Sequence, residues 1–126
     1  MTRIVIVDDN TLIRKQLATL FQESFGFEVA AEGKDGIEAV ELFQSLKPDL
    51  ITLDLTMPRK GGLEALEDIL ASAPDARILV ISAITDAASI TRAITRGARG
   101  YIKKPLRIKD PQFIKQVGED IQEALA

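Results

Sequence analysis

The stretch Ile4-Val5-Ile6-Val7-Asp8-Asp9 decides how the rest of the chain is read. Four consecutive apolar residues, all β-branched, favour an extended strand. A strand with one face in water alternates apolar and polar residues. This one does not, so both of its faces are buried. It stops at two aspartates. The same unit recurs further along. Leu50-Ile51-Thr52-Leu53 runs into Asp54, and Arg77–Ile81 runs into Ser82. Phe27–Ala31 and Gly100–Lys103 are shorter strand candidates. Helical spacing fills the intervals: Leu12, Ile13, Leu17, Leu20 and Phe21 before Gly26; Ile37–Leu46 before Lys47-Pro48; Leu63, Leu66, Ile69 and Leu70 after Gly61-Gly62. Ile90–Arg96 is a weakly patterned fourth helix ended by Gly97, and Ile114, Val117, Ile121 and Leu125 mark a fifth. Five apolar strands alternating with five helices predict an α/β, doubly wound parallel sheet covered on both faces.

The 126 residues suit one domain, spanning 1–126, with no repeat or linker. Hydrophobic residues at 46% and charged residues at 28% are the composition of a folded globular chain. There is no Cys and no His. Disulfides, thiolate and imidazole metal sites, and Ser-His-Asp catalysis are therefore excluded. What remains is carboxylate, lysine, hydroxyl and backbone chemistry, with or without an oxygen-loving cation. The formal charge of -3 does not point to nucleic acid as a partner. No uncharged run approaches the roughly 18 residues of a membrane span. Asp8 and Asp9 interrupt the first apolar run too early for a signal peptide. The expectation is a soluble, cytoplasmic protein without membrane contact.

Ligands of open α/β sheets bind beyond the carboxyl ends of the strands. Here those ends carry Asp8-Asp9, Asp54, Ser82 and, after the fifth strand, Lys103-Lys104-Pro105. A lone aspartate after a strand is ordinarily a cap or turn residue. Asn10 or Thr11 can cap the first helix, which leaves both Asp8 and Asp9 needing another reason. Carboxylates about 4 Å apart repel by roughly 4 kcal/mol at an effective dielectric near 20. A cluster of three therefore calls for a positive partner. Lysine supplies part of it; Mg²⁺, which favours carboxylate, carbonyl and water oxygens, supplies more. A cation beside a carboxylate suits phosphoryl transfer, with the carboxylate as nucleophile.

These residues resemble the receiver domain of two-component response regulators, close to the stand-alone chemotaxis type. The resemblance rests on Val5-Ile6-Val7-Asp8-Asp9, on Leu53-Asp54-Leu55-Thr56-Met57-Pro58 with Gly62, on Val80-Ile81-Ser82-Ala83, and on Gly97-Ala98 with Gly100-Tyr101-Ile102-Lys103-Lys104-Pro105. In this order they cover essentially the whole chain. The resemblance implies the flavodoxin-like strand order 2-1-3-4-5, which is known for chemotaxis receivers and is carried over from them. It implies Asp54 as phosphoacceptor and Mg²⁺ held by Asp9, Asp54 and the Thr56 carbonyl, with Asp8 acting through water. Ser82 and Lys104 would meet the phosphoryl group, and Lys104-Pro105 matches a cis bond in the family. Ser82 and Tyr101 would form the switch, Tyr101 turning inward on phosphorylation. The implied donor is a sensor histidine kinase or phosphotransfer domain. The implied output is a downstream protein bound at the face of the fourth helix, fifth strand and fifth helix. The chain would work as a monomer or weak dimer and not as a conventional enzyme.

Two features are particular to this chain. Thr56 and Ile84 stand two residues after Asp54 and Ser82, positions that the resemblance implies flank the path of a hydrolytic water. Ile84 replaces the polar side chain often found there, so slow dephosphorylation is expected. Eight cations fall between Arg92 and Lys115 against Asp110 alone, giving that stretch +7 and the remainder -10. A basic output face meeting an acidic partner follows as an expectation. Two other classes compete. A haloacid dehalogenase-like phosphohydrolase also uses an aspartyl phosphate, but needs an acid/base Asp where Thr56 stands. A flavodoxin-like cofactor binder needs a phosphate-cradling loop where Asp8-Asp9-Asn10 would repel the phosphate.

Overall fold

Parallel pairing of the apolar runs builds a single five-stranded sheet in a computed structural model that describes residues 1–126. The strands are β1 (Arg3–Val7), β2 (Glu28–Gly33), β3 (Leu50–Leu53), β4 (Ile78–Ser82) and β5 (Gly100–Lys103), in the order β2-β1-β3-β4-β5. The helices are α1 (Thr11–Thr19), α2 (Gly36–Leu46), α3 (Gly62–Ser72), α4 (Ala87–Thr95) and α5 (Pro111–Leu125). The sheet is the doubly wound, flavodoxin-like fold expected from the sequence.

The continuous apolar runs are explained by two cores. Ile4, Ile6, Leu50, Leu79 and Ile81 pack on one face with Leu17 and Phe21 of the α1 region and Val117 and Ile121 of α5. Val5, Val7, Ile51, Leu53, Ile78 and Val80 pack on the other with Phe43 of α2, Leu66 and Ile69 of α3, and Ala93 of α4. Period two sends successive side chains of each strand to opposite cores. Each large side chain taken fully out of water contributes roughly 1.5–3 kcal/mol.

Some boundaries differ from the sequence reading. β2 starts one residue later and runs on to Gly33. An irregularity between Ile4 and Val5 pairs them with Val29 and Ala31, so β2 carries an extra residue, and the ladder continues to Val7 opposite Gly33. α1 is continued by a π turn over Leu20–Ser24, which buries Leu20 and Phe21 before the chain turns at Phe25. α4 begins three residues earlier than its apolar pattern, because the Asp86 carboxylate caps the Ser89 N–H. Asn10 is the residue that caps α1, accepting from the Ile13 N–H.

Candidate functional site

The strand order reverses between β1 and its two neighbours, which opens a crevice beyond the carboxyl ends of β1 and β3. Each side chain reaches it because its strand stops there. β1 delivers Asp8 and Asp9, β3 delivers Asp54, β4 ends at Ser82, and the segment after β5 delivers Lys104. Oxygens of Asp8, Asp9 and Asp54 all lie within 4.8 Å of one another. Asp8 and Asp54 are buried and Asp9 is exposed.

Lys104 ties the cluster together. Its Nζ lies 2.7 Å from Asp8 Oδ2 and 3.1 Å from Asp54 Oδ2. The other Asp8 oxygen accepts the Asn10 N–H at 2.9 Å, and Asp54 Oδ1 faces the Thr56 N–H at 3.4 Å. Burial pushes the Asp8 carboxyl above its ordinary range, and Lys104 and the Asn10 N–H only partly reverse this. Burial also works against the Lys104 charge, but Asp8 and Asp54 outweigh it and hold the ammonium above its ordinary range. One ammonium thus serves a nest of three carboxylates. The peptide bond from Lys104 to Pro105 is cis.

Ser82 is buried at the end of β4, and its carbonyl accepts the Lys104 N–H at 3.0 Å. Its hydroxyl accepts the Ile84 N–H at 3.3 Å. Tyr101 is half-buried against the α2/α3/α4 core, and its hydroxyl donates to the Ile84 carbonyl at 2.6 Å. The phenol is therefore bonded to the loop that follows Ser82. Burial raises its pKa.

The loop from Leu55 to Gly61 begins at Asp54 and folds back on itself, with the Gly62 N–H donating to the Leu55 carbonyl at 3.1 Å. A Cβ on Gly62 would lie 2.0 Å from the Asp54 carbonyl oxygen, so only glycine lets α3 start this close to the acidic strand end.

Sequence reading missed two arginines. Arg14 donates to the Asp8 carbonyl at 2.6 Å while its other nitrogens reach Glu32 and Thr11, pinning the turn that carries Asp8 and Asp9. Arg59 pairs with buried Asp35. The Asp35-x-x-Glu38 spacing is a capping signal that could have found Asp35; no local signal marks Arg59. The basic stretch is also thinner on the surface than its count suggests. Lys104 is turned into the site, Arg96 pairs with Glu67, and Arg99 reaches the last carbonyls of the chain. Arg92, Lys103 and Lys115 stay exposed and without an ion pair on α4, β5 and α5.

Acidic strand ends, a lysine between them and a hydroxyl on the next strand define a receiver-type signalling domain, and comparison with known proteins agrees. Residues 4–116 match the response regulator receiver domain, and the chain belongs to that family. It is similar to the chemotaxis protein CheY of Listeria monocytogenes, at 40% identity over 107 residues, covering 85% of this chain and 89% of the relative. It is similarly related to CheY of Thermotoga maritima, at 41% over 105 residues and 83% and 87% coverage. Among solved structures, the response regulator domain of Thermotoga maritima CheB superposes with a TM-score of 0.87 at 34% identity, over 99% of this chain and 96% of that one. CheY in the CheX-CheY-BeF3-Mg complex of Borrelia burgdorferi gives 0.89 at 30%, over 99% and 90%. Receiver domains are signalling switches of two-component systems rather than conventional enzymes. The haloacid dehalogenase reading finds no support, and Thr56 still stands where its acid/base Asp would be.

Proposed function

We propose that Asp54 accepts a phosphoryl group from a phosphohistidine of a sensor kinase or phosphotransfer domain, and that the charge change alters which protein this chain binds. The observation that carries this reading is the gathering of Asp8, Asp9 and Asp54 within 4.8 Å, bridged by Lys104. An Asp54 oxygen forms the new O–P bond as the P–N bond to the donor imidazole breaks, and the departing imidazole takes up a proton. The all-oxygen, acidic donor set, with one ammonium set against three carboxylates, fits Mg²⁺. Asp8, Asp9, Asp54 and the Thr56 carbonyl would hold it, and when bound it neutralises charge on the phosphoryl oxygens.

Lys104 is within reach of Asp54 and pairs with the incoming phosphoryl oxygens. Ser82 exchanges its Ile84 N–H partner for donation to the same group. Because Tyr101 is bonded to the Ile84 carbonyl, movement of the Ser82–Ile84 segment is felt at β5. The output face is α4, β5 and α5, where Arg92 and Lys103 favour an acidic partner surface. A complete shift between two packings, from 1:99 to 99:1, takes about 5.5 kcal/mol of differential stabilisation. A phosphoryl group near -2 in charge, opposite Lys104, is the source of that difference.

The test is incubation with Mg²⁺ and acetyl phosphate, followed by intact mass. Wild type gains one phosphoryl group and Asp54→Asn gains none. Equal labelling of the two, or none of wild type, contradicts the proposal.

A further inference from the structure

We infer that Arg59 and Asp35 are positioning residues for the loop that carries Thr56, and that they tie the start of α2 to the acidic site. This inference rests on the reading of Asp54 and Thr56 proposed above.

The loop has a near limb over the site and a far limb over α2. Its far limb is held by two contacts at consecutive residues. The Lys60 carbonyl accepts the Gly36 N–H at 2.8 Å. Arg59 donates through Nε to Asp35 Oδ2 at 2.7 Å, and its second nitrogen lies 2.5 Å from the same oxygen. The approach is close: a Cβ on Gly36 would lie 2.5 Å from the Lys60 carbonyl oxygen. Asp35 is 1% exposed, and its other oxygen caps the Glu38 N–H at 2.9 Å. A buried carboxylate needs a partner, and Arg59 is the cation that provides it.

Arg59 accepts a backbone cost to do so. Its φ is +63°, a left-handed conformation that disfavours a residue with a Cβ. Glycine would fit this turn better, so the side chain, not the backbone, explains arginine here. The near limb meets the site through a long 3.4 Å contact from the Thr56 N–H to Asp54, while Leu55 and Met57 pack on the α2/α3 core and the Leu55 carbonyl accepts the Gly62 N–H. No hydrogen bond fixes the Thr56 carbonyl itself, so where it rests depends on the far-limb anchor together with these contacts. Partners that hydrogen-bond metal ligands directly are commonly worth roughly 10–100-fold in metal affinity or activity, and an anchor further out such as Arg59 should fall at the low end of that range.

The test compares wild type, Arg59→Gly, Arg59→Lys and, as a control, Arg96→Ala, which breaks an exposed ion pair between the end of α4 and α3 that involves no residue of the loop. Three readouts are taken: Mg²⁺ affinity by calorimetry, the acetyl phosphate rate at saturating Mg²⁺, and amide hydrogen exchange of residues 55–61 without Mg²⁺. Arg59→Gly removes the tie and relieves the left-handed backbone, while Arg59→Lys keeps a cation for buried Asp35 and controls for loss of the fold. Its Mg²⁺ affinity should fall roughly tenfold, its loop amides should exchange faster, and Arg59→Lys should recover part of both. Arg96→Ala should match wild type. Wild-type affinity and exchange in Arg59→Gly overturn the inference, as does a loss in Arg96→Ala equal to that in Arg59→Gly. A wild type that neither binds Mg²⁺ nor takes up phosphate counts against the proposed function, whereas unchanged loop exchange in Arg59→Gly counts against the tie alone.

Discussion

The ammonium of Lys104 lies 2.7 Å from the carboxylate of Asp8, a residue 96 positions earlier in the chain and 1% exposed. That pair is the only ammonium contact to Asp8, so its loss leaves a buried carboxylate beside two others. Lys104→Ala should destabilise the protein by about 1–3 kcal/mol without Mg²⁺, the usual cost of stranding a buried polar group. Added Mg²⁺ should raise the melting temperature of the variant more than that of wild type, because a cation restores the missing charge. Thermal melts with and without Mg²⁺ check both statements; equal Mg²⁺ shifts in the two proteins contradict them.

Asp8 carries the opposite lesson. Its folded pKa is raised, chiefly by burial, so its ionised form opposes folding. The stability linked to this group is fully present below the unfolded value near 3.9 and is lost as pH rises through the raised folded value. Asp8→Asn should therefore melt higher than wild type at pH 7, with the gap closing as pH falls into the acid range. A variant less stable than wild type at pH 7, or a gap independent of pH, contradicts this.

Asp35 behaves in reverse. Burial raises its pKa, but the Glu38 N–H and Arg59 more than offset this and leave it lowered. Its contribution is present above the unfolded value and disappears as pH falls through the lowered folded value. Asp35→Asn should lose stability at neutral pH and show a flatter acid limb in a melting-temperature profile. An unchanged acid limb would show that the Asp35–Arg59 pair does not stabilise the fold.

Thr52 is buried on β3 with its hydroxyl oxygen paired to no protein group. Thr52→Val should raise stability by about 1 kcal/mol, since a methyl fills the same space without an unmet hydrogen bond. Urea unfolding measures it; a lower midpoint at unchanged slope contradicts it.

Thr56 and Ile84 stand two residues after Asp54 and Ser82, and neither carries a carboxylate or amide side chain. Ile84 is half-buried, with its N–H on Ser82 and its carbonyl on Tyr101. The aspartyl phosphate should persist well beyond seconds in Mg²⁺, followed by loss of the phosphorylated mass after the donor is removed. Decay within seconds contradicts this.

The sheet was legible because burial on both faces writes itself as unbroken apolar runs, as in Ile4–Val7 and Leu50–Leu53. The site was legible because Asp8, Asp9, Asp54, Ser82 and Lys104 each sit where a strand stops. What escaped were features without a periodic signature. The irregularity at Ile4/Val5 lengthens β2 through its partner strand, not through its own sequence. The start of α4 is set by Asp86, ahead of any apolar repeat. Arg59 reads as a loop charge until folding brings it to Asp35, 24 residues away. The local charge count between Arg92 and Lys115 could not show that Lys104, Arg96 and Arg99 are already occupied.

The most direct measurement locates the phosphoryl group. Wild type is treated with acetyl phosphate and Mg²⁺, reduced with borohydride to convert any acyl phosphate to an alcohol, digested and sequenced by mass spectrometry. Homoserine is expected at position 54 and nowhere else. Homoserine at position 8 or 9, or an unmodified residue 54 in protein that carries phosphate, contradicts this.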